Sequence, residues 1–132
     1  MSTPAPAITV AGYSHVALMV DDLDAAMDFY CGTLGFEPLP RPDFGPGAWL
    51  QKGVAQVHLG VVDEMSPPSG FPHIALHIPR DDYADTMAAL EARGVPFVME
   101  PRSREDFGKP VWAAFIKDPA GNVIELTDVD PT

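Results

Sequence analysis

The chain is short of positive charge. Eight lysines and arginines stand against nineteen aspartates and glutamates in 132 residues, a net charge of −11. Nucleic acid and anionic membranes are bound through clustered cations, so neither is expected as a partner. Cysteine is almost absent: a single thiol, Cys31, excludes an intrachain disulfide framework and fits a reducing compartment. No apolar run approaches the ~20 residues that a membrane-spanning helix needs. Residues 1–7 lack the basic and apolar regions of a secretory signal, so a cytoplasmic location is expected. Hydrophobic residues still make up 46% of the chain, enough for the core of one acidic domain.

What is present is an internal repeat. Tyr13–Val20 matches Phe71–Ile78, 58 positions further on, and Gly35 matches Gly94 at 59. The segment from Arg41 to Trp49 shares Arg, Asp, Phe, Gly and Trp, at identical spacing, with that from Arg104 to Trp112, 63 positions on. Val57-His58-Leu59 matches Ile124-Glu125-Leu126 at 67. A steadily rising offset is what duplication followed by loop insertion produces.

Each half reads as the same α+β unit, βαβββ. Alternating strands over 13–20 and 71–78 lead into helices, with Asp21/Asp22 and Asp81/Asp82 as N-cap candidates and Gly35 and Gly94 just past the ends. Leu23, Met27, Tyr30 and Leu34 form one apolar helix stripe, and Tyr83, Met87 and Leu90 the other. Strands near 36–40, 47–52, 55–62, 96–100, 111–117 and 122–128 follow, with loops over 41–47 and 101–110. The organisation is a first module over 8–62, a linker over 63–70 and a second module over 71–128, together one domain. Exposed sheet edges in such a plan favour a homodimer.

Strand alternation separates the polar groups from the apolar stripes. His15 opposes Val16, Leu18 and Val20; His73 opposes Ile74, Leu76 and Ile78; His58 opposes Val57, Leu59 and Val61; Glu125 opposes Ile124 and Leu126. All four leave the sheet on the face away from the helices, and the repeat maps His15 onto His73 and His58 onto Glu125. Three imidazoles and a carboxylate on one surface fit one divalent transition metal: Zn, Ni, Co, Mn or Fe(II). His77 shares the His73 face but lies ~13 Å along the strand, so it belongs to the pocket wall at most.

Certain residues carry a resemblance to a known family. They are His15-Val-Ala-Leu, Phe29-Tyr30 with Leu34-Gly35-Phe36, His73-Ile-Ala-Leu, and Phe115 followed by Asp118-Pro-Ala-Gly-Asn-Val-Ile-Glu-Leu126. Over about residues 11–128 the chain resembles the vicinal oxygen chelate superfamily, which includes glyoxalase I, extradiol dioxygenases and bleomycin-binding proteins. The resemblance implies a concave mixed sheet with helices on its outer face. It also implies metal ligands in the first, fourth, fifth and eighth strands, here His15, His58, His73 and Glu125. Glyoxalase I-like members have Glu at the fourth-strand position and epimerases have Gln, whereas this chain has His58.

The implied activity is that of a lyase or isomerase acting on a small substrate that chelates the metal through vicinal oxygens. Its proton transfer is of the enediolate type, with Glu125 moving the proton and His58 either a fourth ligand or a second acid/base. One alternative is an Fe(II) extradiol-type dioxygenase using His15, His73 and Glu125. Another is a non-catalytic small-molecule binding or resistance protein. Trp49, His77, Arg102 and Trp112 are the candidate pocket residues. The repeat equally lets Phe44, Trp49, Phe107 and Trp112 pack hairpins, and pairs Arg41 and Arg104 with Asp43 and Asp106 in a structural role. Cys31 reads as an inert, partly buried thiol.

Overall fold

The computed structural model describes residues 7–66, 69–105 and 108–131. Pro67 and Pro68 of the linker, and Asp106 and Phe107 of the repeat, lie outside the described residues. In chain order the elements are β1 (Val16–Val20), α1 (Leu23–Met27), a π-helical segment (Asp28–Thr33), β2 (Glu37–Leu39), β3 (Gly47–Lys52) and β4 (Ala55–Val61). They continue with β5 (His73–His77), α2 (Arg80–Ala92), β6 (Met99–Arg104), β7 (Val111–Lys117) and β8 (Val123–Thr127). The strands form two four-stranded sheets, in the orders β1-β4-β3-β2 and β5-β8-β7-β6. β1 runs parallel to β4 and β5 parallel to β8, while the hairpin pairs are antiparallel. The two halves thus share one topology, as the repeat requires.

The registers carry the alternation across each sheet. Val16, Leu18 and Val20 lie opposite Val57, Leu59 and Val61, and Ile74 and Leu76 opposite Ile124 and Leu126. All of these apolar positions but Val16 join Ala26, Phe29 and Tyr30 of the first half, and Tyr83, Met87 and Leu90 of α2, in one continuous core. At roughly 25 cal/mol per Å² of apolar surface, burial of such side chains is the main driving force for the fold.

The helices differ from their sequence reading at one end each. Asp22 caps α1 as expected, its carboxylate accepting from the Ala25 amide at 3.0 Å. The regular helix then widens into the π-helical segment, which turns both Phe29 and Tyr30 inward where a 3.6-residue stripe selects only Tyr30. α2 starts one turn-position earlier than its acidic pair, with Pro79 at the N-cap and Asp81 and Asp82 in the first turn. There their charges face the positive end of the helix dipole. Gly35 (φ 79°) and Gly94 (φ 74°) take the left-handed conformation past the two helices, with the Phe36 amide donating to Tyr30 O and the Val95 amide to Leu90 O.

β1 and β5 are shorter than the alternation indicates, starting at Val16 and His73; residues 71–72 lie beyond the start of the partner strand β8. β6 is longer. The expected loop over 101–110 is strand through Arg104, with a register shift between Met99 and Arg102. Pro101 reads as a loop residue in sequence, but β6 is an edge strand, where a missing backbone donor at a bulge is tolerated. Arg102 and Arg104 therefore sit on a strand.

Among the described residues, three side-chain bonds join the halves. Tyr30 Oη donates to Asp118 Oδ2 at 2.8 Å in a buried setting, Asn122 Nδ2 to Met19 O at 2.8 Å, and Arg93 Nη1 to Gly32 O at 3.2 Å. Asp118 is a hub: its Oδ1 also accepts from the amides of Ala120 and Asn122, and its Oδ2 from Asn122 Nδ2. Burial, with the Asp118 charge beside it, pushes the Tyr30 phenol well above its ordinary range.

Candidate functional site

In the second half, His73 opens β5 and Glu125 lies in the middle of β8, on the face away from α2. Their facing atoms, His73 Nε2 and Glu125 Oε1, are 3.2 Å apart. The His73 ring is oriented from behind: its Nδ1–H donates to Phe71 O at 2.9 Å. A neutral ring in that tautomer aims its Nε2 lone pair at a carboxylate oxygen, an arrangement that a bound cation between them stabilises. Phe115, the register partner of Glu125, meets His73 edge-on at 5.5 Å, and Phe71 stacks obliquely on both (5.0 and 5.2 Å).

In the first half, His15 stands just before β1 and His58 lies in β4. Their rings are stacked, with centroids 3.8 Å apart and planes 13° from parallel. Trp49, the register partner of His58 on β3, covers its other face at 4.4 Å and 11°. The stack ends at Phe44, 6.4 Å from Trp49, with the Arg41 guanidinium 5.6 Å over the Phe44 ring. His58 Nε2–H donates to Gln56 Oε1 at 2.7 Å, and Ser14 Oγ lies 3.1 Å from His15 Nδ1. Partial burial, with His15 and Arg41 nearby, pushes the His58 imidazole below its ordinary range.

The four ligand candidates are therefore brought together as two pairs. Among the described residues no group of three or more His, Cys, Asp or Glu side chains is placed to hold one ion. The second-half pair fits a metal. Two donors at ~2.1 Å from an ion and at roughly a right angle stand ~3 Å apart, close to the separation seen. The His73 ring also has the backbone acceptor behind it that metal-bound imidazoles use.

The pocket candidates separate by face. Trp49 is on the ligand face, and so is Arg102 by its register with Ala113, in the row that leads through Phe115 to Lys117. His77 shares the His73 face opposite Thr127 and is exposed at the far end of β5. Trp112 is on the opposite face, its ring 6.3 Å from Tyr83 of α2, so it packs against the helix and does not line the ligand face. The residue that occupies the place of Trp49 in the second half is Phe115, which the sequence match at 63 positions conceals. Gln56 was equally missed, although it lies two residues from His58 on the same strand face. Arg41 and Asp43 do have a structural role, but through Gly45: Arg41 donates to its carbonyl at 2.8 Å and Asp43 accepts from its amide at 3.1 Å. Burial pushes the Cys31 thiol up, in keeping with an unreactive side chain.

Comparison with known proteins agrees with this architecture. Residues 12–126 match the model of the Glyoxalase/Bleomycin resistance protein/Dioxygenase superfamily. A "Probable lactoylglutathione lyase" of Synechocystis is 32% identical over 123 residues, spanning 85% of this chain and 91% of that protein. A chloroplastic protein of the same name from Arabidopsis thaliana is 32% identical over 129 residues, covering 89% of this chain but only 36% of the longer relative. The crystal structure of a glyoxalase/bleomycin resistance protein/dioxygenase from Alicyclobacillus acidocaldarius superposes with a TM-score of 0.72 at 25% identity, over 89% of this chain and 90% of the other. With its paired βαβββ units and the match along nearly its whole length, the chain belongs to the glyoxalase/bleomycin resistance protein/dioxygenase superfamily.

Proposed function

We propose that the protein is a metal-dependent lyase or isomerase of the glyoxalase I type, acting on a small substrate that presents two neighbouring oxygens. The observation that carries this reading is the His73–Glu125 pair, set 3.2 Å apart with the imidazole anchored on Phe71 O. His73 and Glu125 would hold a divalent transition metal together with His15, with His58 beside them. When bound, such an ion supplies Lewis-acid stabilisation of negative charge developing on a substrate oxygen.

The chain's own groups do the rest. Glu125 is the carboxylate of the set and sits at the reacting face, so it takes the proton from carbon next to the carbonyl and returns it to the neighbouring position. Trp49, Phe115 and Phe71 narrow the approach with apolar surface, which keeps water from the transferred proton. A homodimer completes the site economically, because one chain holds the two pairs apart and a second copy can set a first-half pair against a second-half pair.

The relatives' names direct the first assay to the adduct of a 2-oxoaldehyde with glutathione. Protein loaded with Zn, Ni, Co, Mn or Fe(II) is expected to form the thioester, followed by its ultraviolet absorbance. Glu125→Ala is expected to lower kcat by at least ~100-fold. Absence of turnover with every metal, on this adduct and on other 2-hydroxycarbonyl or dicarbonyl compounds, overturns the lyase/isomerase reading.

A further inference from the structure

We propose that His58 is not a metal ligand but a positioning residue, the middle layer of a ring stack that fixes the plane of His15. The proposal rests on the preceding reading, that His15, His73 and Glu125 serve a metal ion. Three observations carry it.

The first is ring geometry. A metal bound to an imidazole lies in the plane of that ring, ~2.1 Å from the nitrogen. His15 and His58 are stacked with centroids 3.8 Å apart and planes only 13° from parallel. An ion in the plane of one ring is then held above the other by nearly the whole stacking distance, far beyond a coordination bond. The two rings cannot serve the same ion in this arrangement, and one of them stays out.

The second observation says which. His15 and His73 each have Nδ1 next to a local oxygen, Ser14 Oγ and Phe71 O, which leaves Nε2 facing outward for an ion. His58 is reversed: its Nε2–H is committed to Gln56 Oε1 at 2.7 Å. The third is the cover on the second face of His58. Trp49 lies 4.4 Å away and 11° from parallel, a contact that the β3–β4 register builds in, since Trp49 and His58 are directly opposite. Turning His58 out to reach an ion would break the Gln56 bond and both ring contacts at once.

One consequence concerns the reaction. Without His58, the ion retains one more position for substrate oxygen or water than a four-ligand site offers. The substrate then meets the edges of the His15–His58–Trp49 stack instead of a second carboxylate or carboxamide.

The test is Co(II) binding to the full-length protein, read by titration calorimetry and by the visible ligand-field spectrum, for His15→Ala, His73→Ala, Glu125→Ala, His58→Ala and His58→Phe. The first three are expected to lose at least ~100-fold in affinity. His58→Ala is expected to lose ~10-fold, the effect of removing a supporting partner, and His58→Phe, which keeps a ring between His15 and Trp49, to recover to within ~3-fold with an unchanged spectrum. If His58→Phe loses Co(II) as severely as Glu125→Ala, His58 is a ligand and the proposal falls while the metal reading stands. If His73→Ala and Glu125→Ala bind Co(II) as tightly as the unsubstituted chain, the metal reading falls and takes the proposal with it.

Discussion

In the first half of the molecule His58 lies flat between two rings, whereas Glu125, at the same place in the second half, reaches across to the edge of His73. The backbones around them follow one plan, down to the register that sets Trp49 opposite His58 and Phe115 opposite Glu125. Chemistry therefore separates the halves where topology does not. A carboxylate cannot stack, so Glu125 turns its oxygens to the neighbouring imidazole and makes a pair of converging donors. An imidazole between aromatic rings gains by lying parallel to them, and its donors then diverge. One duplicated scaffold holds an imidazole–carboxylate pair in one half and a stack of rings in the other.

The sharpest way to break this comparison is at the turns. The β3–β4 connection is a short turn through Gly53 (φ 57°) and the fully exposed Val54, while the β7–β8 connection is organised by buried Asp118. Asp118→Ala removes the acceptor of the Tyr30 hydroxyl and of two turn amides. It is expected to cost about 3 kcal/mol in urea unfolding. Val54→Ser, at the other turn, should stay within about 0.5 kcal/mol. Equal losses at the two turns would show that the turns are not divided in this way.

A smaller effect sharpens the contrast on the ligand face. The first half has Gly47 opposite Gly60 where the second has Ala113 opposite Thr127. A Cβ on Gly47 would stand 2.5 Å from Leu59 O and 3.1 Å from Arg41 Nη2, whereas one on Gly60 would meet the mobile end of Met19 at 2.9 Å. Gly47→Ala is expected to destabilise by about 2–3 kcal/mol and Gly60→Ala by less than about 1 kcal/mol, both by urea unfolding. The effect at the phenol falls between those of the two glycines: Tyr30→Phe leaves the Asp118 carboxylate its other donors and should cost about 1.5 kcal/mol.

The ligand-face assignment of His15, His58, His73 and Glu125 was legible because strand alternation is strict once a stripe of Val, Leu and Ile marks the other face. The position of Trp112 was not. Its match with Trp49 has five shared residues, but the β7–β8 turn adds residues downstream, so Phe115 holds the equivalent place. Pairing from Glu125 backwards reveals this, and pairing from the loop forwards hides it. The stack around His58 was also invisible, since alternation says which side a ring leaves the sheet and nothing about whether it turns its edge or its face to a neighbour. The widening of α1 after Met27 escaped for a related reason: Phe29 and Tyr30 are both inward, a pattern that a regular helical period does not generate.

The long reach of the bonds that join the halves bears on how the molecule assembles. Tyr30 and Asp118 are 88 residues apart, Met19 and Asn122 are 103 apart, and Gly32 and Arg93 are 61 apart, while each sheet is hydrogen-bonded wholly within its own half. Contacts that close such long loops form late, because chain entropy must be spent before they return anything. A backbone cut within residues 63–70 severs none of the described strand pairings, so two separate peptides retain the strands of the two sheets. Their affinity for each other would then report directly on the strength of the seam.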